Sequence, residues 1–117
     1  MRLEELVQAL DLRELTPPIA GDRETDIAYG YASDLLSDVL AHAPAGGVLV
    51  TLQVHLNVIA VASHSGLRAV IFSSNRVPDD DVIARAVDED LSLFVSPADT
   101  FDIVGRLYQL GIRGGAA

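Results

Sequence analysis

"GVLVTLQVHLNVIAVASHSGLRAVIF", residues 47–72, is the stretch whose reading decides the fold. Its first six residues, Gly47 to Leu52, are a short apolar run with β-branched members, the pattern of a strand covered on both faces. "AVIF" at 69–72 is a second such run. Between them, 55–63 fits helix or strand by periodicity alone. We read it as a helix, because Leu56, Ile59 and Ala60 fall on one face and Ser63-His64-Ser65-Gly66 ends it.

Outward from this unit the alternation continues. Residues 79–90, "DDDVIARAVDED", place Val82, Ile83, Ala86 and Val87 at helical spacing; 91–95 is a strand and 100–112 a closing helix. Upstream, 25–32 alternates and reads as a strand, followed by a helix from Asp34 to His42 that Pro44 and Gly46-Gly47 close. Leu3, Leu6, Val7 and Leu10 mark an N-terminal amphipathic helix, "LREL" at 12–15 a short strand, and "GDRE" at 21–24 a turn. The tail "RGGAA" is expected to fray. Strand–helix repetition of this kind predicts an α/β fold: one three-layer-like domain over 1–117, core 3–112, with a mostly parallel sheet flanked by helices.

Composition narrows the chemistry. The net charge is −9, carried against eight basic residues that are all arginine. So acidic a chain repels phosphate backbones, which argues against a nucleic-acid partner. Absence of cysteine removes disulfides and thiolate sites, and absence of lysine removes Schiff-base chemistry and the usual phosphate-loop cation. No apolar run is long enough to span a bilayer, and the N-terminus lacks a secretory pattern, so the expectation is a cytoplasmic protein without a membrane partner.

In open α/β sheets ligands bind beyond the carboxyl ends of the strands. Ser33 and Asp34 follow the strand ending at Ala32, Gln53 and His55 follow the 47–52 strand, and Ser73, Ser74, Asn75 and Arg76 follow "AVIF". These eight residues are the candidate ligand contacts, though small polar residues at strand ends also serve simply to cap the next helix. In "SDLLSD", 33–38, Ser33 is the expected N-cap and Asp34 sits in the first turn, where a carboxylate favours the helix dipole. Leu35, Leu36, Val39 and Leu40 supply the buried side. An acid–base or metal set of Asp34, Asp38 and His55 is the enzymatic alternative. Histidine spacing matches no zinc motif, the 79–81 aspartates begin a helix rather than a calcium loop, and no nucleophile elbow or dinucleotide fingerprint is present. Neither a catalytic residue, nor a metal, nor a cofactor is assigned.

"YASDLLSDVLAHA" (31–43), "GVLVTLQVHLNVIAVAS" (47–63), "LRAVIFSSNRVPDDD" (67–81) and "FDIVGRLYQLGI" (101–112) resemble the DRTGG domain family, whose fold is similar to the N-terminal domain of the HPr kinase/phosphorylase. The resemblance implies a regulatory or interaction module without catalysis of its own. It further implies a homodimer, a metabolic or redox enzyme as partner, and a small anionic ligand such as a nucleotide as the alternative. Asp22-Arg23-Glu24-Thr25 loosely matches the motif behind the family name. The loop after "AVIF" departs from the family, which commonly has Thr-Gly-Gly where this chain has Ser73-Ser74-Asn75. Glycine tolerates positive φ and close ligand approach better than serine, so the resemblance does not carry a phosphate cradle to this loop.

Overall fold

Four parallel strands and one antiparallel strand form a single sheet in the computed structural model, which describes residues 1–115. The elements are α1 (Leu3–Ala9), β1 (Arg13–Glu14), a 3-10 turn (Asp22–Glu24), β2 (Gly30–Ala32), α2 (Leu36–His42), β3 (Val48–Thr51), α3 (Asn57–His64), β4 (Ala69–Phe72), α4 (Asp80–Asp88), β5 (Ser92–Val95) and α5 (Thr100–Gln109). The order across the sheet is β1-β5-β4-β3-β2. In register, Val48 to Thr51 lie beside Ala69 to Phe72, which lie beside Ser92 to Val95. Every residue of β3, β4 and β5 is buried, which is why these strands read as continuous apolar runs instead of alternating ones.

The strand order places the helices. Strands β2 to β5 follow one another in sequence across the sheet, and crossovers of one hand then put α2, α3 and α4 on the same face. Val39, Val58, Ile59, Ala62, Val82 and Ala86 from those helices pack there on Leu49, Val70, Phe72 and Leu93. The opposite face is left to the terminal helices. Leu3, Leu6 and Val7 of α1 and Ile103 and Leu107 of α5 cover Val48, Val50, Ile71 and Phe94. This is the expected three-layer α/β arrangement.

Local departures from the sequence reading have identifiable causes. The strand expected over 25–32 is confined to Gly30–Ala32, because Thr25 to Ile27 bond to the chain start instead of the sheet. There Leu3 N–H donates to Thr25 O (2.9 Å) and Ile27 N–H to Met1 O (2.6 Å). The helix expected from Asp34 begins at Leu36. Of its expected buried leucines, Leu35 and Leu40 are exposed and only Val39 is fully covered. On α3 the buried residues are Val58, Ile59 and Ala62, so Ile59 fits the expected face while Leu56 and Ala60 turn outward. Arg113 is not frayed: its N–H donates to Ala28 O (3.2 Å) and its carbonyl accepts from Gly30 N–H (2.8 Å), extending the sheet past β2. Ala116 and Ala117 of that tail lie outside the described residues.

Candidate functional site

Loops leaving adjacent strands β4 and β5 part to opposite faces, β4 toward α4 and β5 toward α5. Such a divergence at the carboxyl edge opens the crevice where α/β sheets bind ligands. Here the two loops close it by bonding to each other. Ser74 N–H donates to Ala98 O and Asn75 N–H to Ser96 O, both at 2.8 Å. Ser74 (φ 55°) and Asn75 (φ 58°) adopt the left-handed conformation that a glycine pair would favour. The backbone shape expected to need glycine is thus reached with serine and asparagine. Ser73 N–H bonds to Thr51 O (3.1 Å) and Arg76 N–H to Ser73 O (3.1 Å), so all four N–H groups of 73–76 have internal partners. Ser73 is fully buried, with its hydroxyl 2.7 Å from Thr100 Oγ1, while Arg76 is exposed.

The other candidates form a chain of bonds along the β2 and β3 ends. Asp34 does not serve the α2 dipole. Its Oδ1 accepts from Thr51 Oγ1 (2.9 Å) and from Leu52 N–H (2.7 Å), tying the two strand ends together. Ser33 is not the N-cap, a position held by Leu35, but its Oγ accepts from Leu35 N–H (3.2 Å) in the turn that aims Asp34 at β3. Thr51 Oγ1 accepts from Gln53 N–H (3.0 Å), Gln53 Oε1 from His55 N–H (3.3 Å), and His55 Nδ1 from Asn57 N–H (3.1 Å). His55 therefore precedes α3 and satisfies its first N–H groups, Asn57 N–H through the ring and Val58 N–H (3.0 Å) through its carbonyl.

Asp34, Asp38 and His55 each have different partners. Asp38 accepts from Tyr31 Oη (2.8 Å) and lies 3.1 Å from His42 Nδ1. The Tyr31 hydroxyl, helped by Ser33 and His42, holds the Asp38 carboxyl below the ordinary range, and Asp38 in turn pushes the Tyr31 hydroxyl up. A carboxyl depressed in the folded state adds stability above its unfolded pKa, and that stability disappears as pH falls through the lower folded value. Tyr31→Phe is expected to raise the Asp38 pKa toward the ordinary ~3.9 and to weaken the acid dependence of stability, read by carboxyl-carbon NMR titration. Among the described residues no three histidine, aspartate or glutamate side chains converge as a metal site would require.

A second feature, unforeseen from the motifs, lies on α5. Phe101 is 84% exposed, Tyr108 59% and Val104 38%, forming a stripe that faces away from buried Ile103 and Leu107. Beside it, between α5 and β2, opens a cleft of about 210 Å³ lined by Gly30, Ala32, Val50, Val104, Leu107 and Ile112, among others. The signal was present in "TFDIVGRLYQLGI": its apolar residues cover both faces of the helix, more than one buried seam requires.

No protein-family model matches the chain, and no curated protein matches it significantly. The fold is nonetheless one already seen in a regulatory setting. The crystal structure of the CBS and DRTGG domains of the regulatory region of Clostridium perfringens pyrophosphatase, complexed with its activator diadenosine tetraphosphate, aligns with a TM-score of 0.75. That alignment covers 92% of this chain at 13% identity and 46% of the other, so the chain spans about half of that structure's length. At this identity the likeness is one of fold. No helix among the described residues is long and apolar enough to cross a membrane.

Proposed function

We propose that this chain is a non-catalytic regulatory domain of DRTGG type that acts by protein–protein contact in the cytoplasm, as a homodimer docking onto a metabolic or redox enzyme. The observation that carries this reading is the contrast between the two ends of the site. Polar groups at the strand ends largely satisfy one another, whereas α5 presents Phe101, Val104 and Tyr108 to solvent. Exposed aromatic stripes beside a groove mark contact surfaces more often than reaction centres. The shared fold with a pyrophosphatase regulatory region supports the same direction.

A second reading, a sensor of a small anionic metabolite, draws on the activator nucleotide in that structure. Ser33, Asp34, Gln53, His55, Ser73, Ser74, Asn75 and Arg76 would line its site, with Arg76 as the cation. Since the N–H groups of 73–76 are occupied, side chains would have to supply the binding, against a net charge of −9. Thermal unfolding with nucleotides, dinucleoside polyphosphates and acyl phosphates separates the readings. A sensor gains about 2.7 kcal/mol from a ligand at 100 times its Kd. The contact reading expects no saturable gain across the panel, together with self-association or capture of a defined enzyme whose activity changes. A saturable gain with neither contact would contradict it.

A further inference from the structure

The sheet ends in two unlike edges, and one of them stops a rung short. We propose that β2 is a docking edge: an extended segment of the partner enzyme adds to the sheet as a further strand beside Gly30–Ala32, placing an apolar side chain in the α5–β2 cleft and basic side chains toward α2. The proposal rests on the contact-based reading above and adds the surface and the chemistry of its occupant.

At one edge, β1 is two residues long and both are charged, Arg13 and Glu14, a usual guard against stray pairing. At the other, β2 reads Gly-Tyr-Ala and carries no charge. Tyr29 O accepts from Val48 N–H (3.0 Å) and Ser33 N–H donates to Val50 O (3.3 Å), so Tyr29, Tyr31 and Ser33 turn their backbone toward β3. Ala28, Gly30 and Ala32 turn theirs outward. The tail takes the first outward rung, Ala28 O and Gly30 N–H, through Arg113. The next rung is Gly30 O and Ala32 N–H, and neither has a backbone partner among the described residues. Two residues beyond Arg113, Gly115 has instead turned (φ 89°) to lie against Pro44. An acceptor and a donor at strand spacing call for another backbone, and an added strand supplies both.

Side chains set what that strand is made of. Paired strands lie about 5 Å apart, and their side chains alternate between the two faces. Gly30 and Ala32 line the α5–β2 cleft, so a residue paired beside Ala32 projects to its mouth. The cleft of about 210 Å³ admits a phenyl ring, since an apolar cavity of about 150 Å³ holds benzene. The alternate residues project to the side of Tyr31, whose hydroxyl bonds to Asp38 on α2. Histidine aside, every charged side chain between positions 24 and 67 is acidic: Glu24, Asp26, Asp34 and Asp38. Basic residues suit those alternate positions, and the net charge of −9 draws a basic segment in.

The test is an amide NMR titration of the full chain with the capped peptide acetyl-KTKFKTK-amide, which alternates in this way. Shifts are expected to saturate, with Gly30 and Ala32 among the largest and Ala32 N–H slowed in hydrogen exchange. N-methylating the three central residues of the peptide removes its donors and is expected to weaken binding by about 10-fold or more. Exchanging its phenylalanine for alanine is expected to cost about 10-fold, and its lysines for glutamates about 5-fold or more. Ala32→Pro, a change that strand edges tolerate where the N–H faces solvent, is expected to weaken the peptide by about 10-fold. Ala32→Phe, at an exposed position, fills the cleft mouth and is expected to do the same, with circular dichroism confirming that each variant folds. Shifts that do not saturate by about 1 mM peptide overturn the docking edge without touching the enzyme-contact assay of the regulatory reading. Binding indifferent to N-methylation reduces the site to an apolar pocket and overturns strand addition. Slowing of Ala32 exchange by protein concentration alone assigns the edge to a second copy and overturns the occupant.

Discussion

Replacing Phe94 by alanine is expected to lower the unfolding free energy by about 3–5 kcal/mol, the range for removing a buried aromatic ring. Phe94 is fully buried on β5, facing α1 and α5 across the sheet from the connecting helices. Its ring also carries the Arg23 guanidinium, whose central carbon lies 5.1 Å from the ring centroid. Arg23 is mostly covered, pairs with Glu14 at 2.9 Å, and has a buried Nε without a partner among the described residues. Phe94→Ala thus opens a cavity and also strips a desolvated cation of its aromatic face. Against a total of about 5–15 kcal/mol for a domain, this is a large fraction. Urea unfolding measures it, and a loss below ~1 kcal/mol would show that this face is not the tightly packed core described.

Asp34→Ala carries the second-largest expected effect on folding stability, a loss of about 2 kcal/mol, since hydrogen bonds to charged groups are worth roughly 1.5–3 kcal/mol and this carboxylate is partly exposed. Its Oδ1 receives the Thr51 hydroxyl and the Leu52 N–H, so alanine frees two donors at the joint between β2 and β3. Asp34→Asn keeps an acceptor oxygen and is expected to cost less than half as much. Amide hydrogen exchange at Leu52 should quicken in the alanine variant and change little in the asparagine one. Equal losses in both would mean that charge, not the two bonds, matters at this position.

The layers of the fold were legible because β3, β4 and β5 announce burial on both faces and the helices between them are periodic. Boundaries failed where polar residues chose tertiary partners over local ones. Asp34 and Ser33 would suit a helix start, yet Asp34 reaches β3, across a sequence distance no local pattern reports. Thr25 to Ile27 alternate like a strand but pair with the N-terminus. Of the eight strand-end candidates, Asp34, Gln53, Ser73, Ser74 and Asn75 bond directly to Thr51 or to the β5–α5 loop. What could not be read was that those loops bond to one another across the crevice. The α5 stripe was readable as excess apolarity on a closing helix. Its exposure became visible only once the sheet showed which face Ile103 and Leu107 occupy.

Two-dimensional amide NMR over a dilution series of the wild-type chain, repeated with the anionic ligand panel, tests most directly whether α5 or the strand-end edge is the working surface. Concentration-dependent shifts are expected at Phe101, Val104, Gly105, Tyr108, Gly30 and Ala32, with Ser73 to Arg76 unmoved by concentration or ligand. Spectra in which α5 never responds while Ser33, Gln53, His55 and Ser73 to Arg76 shift with a metabolite would contradict it.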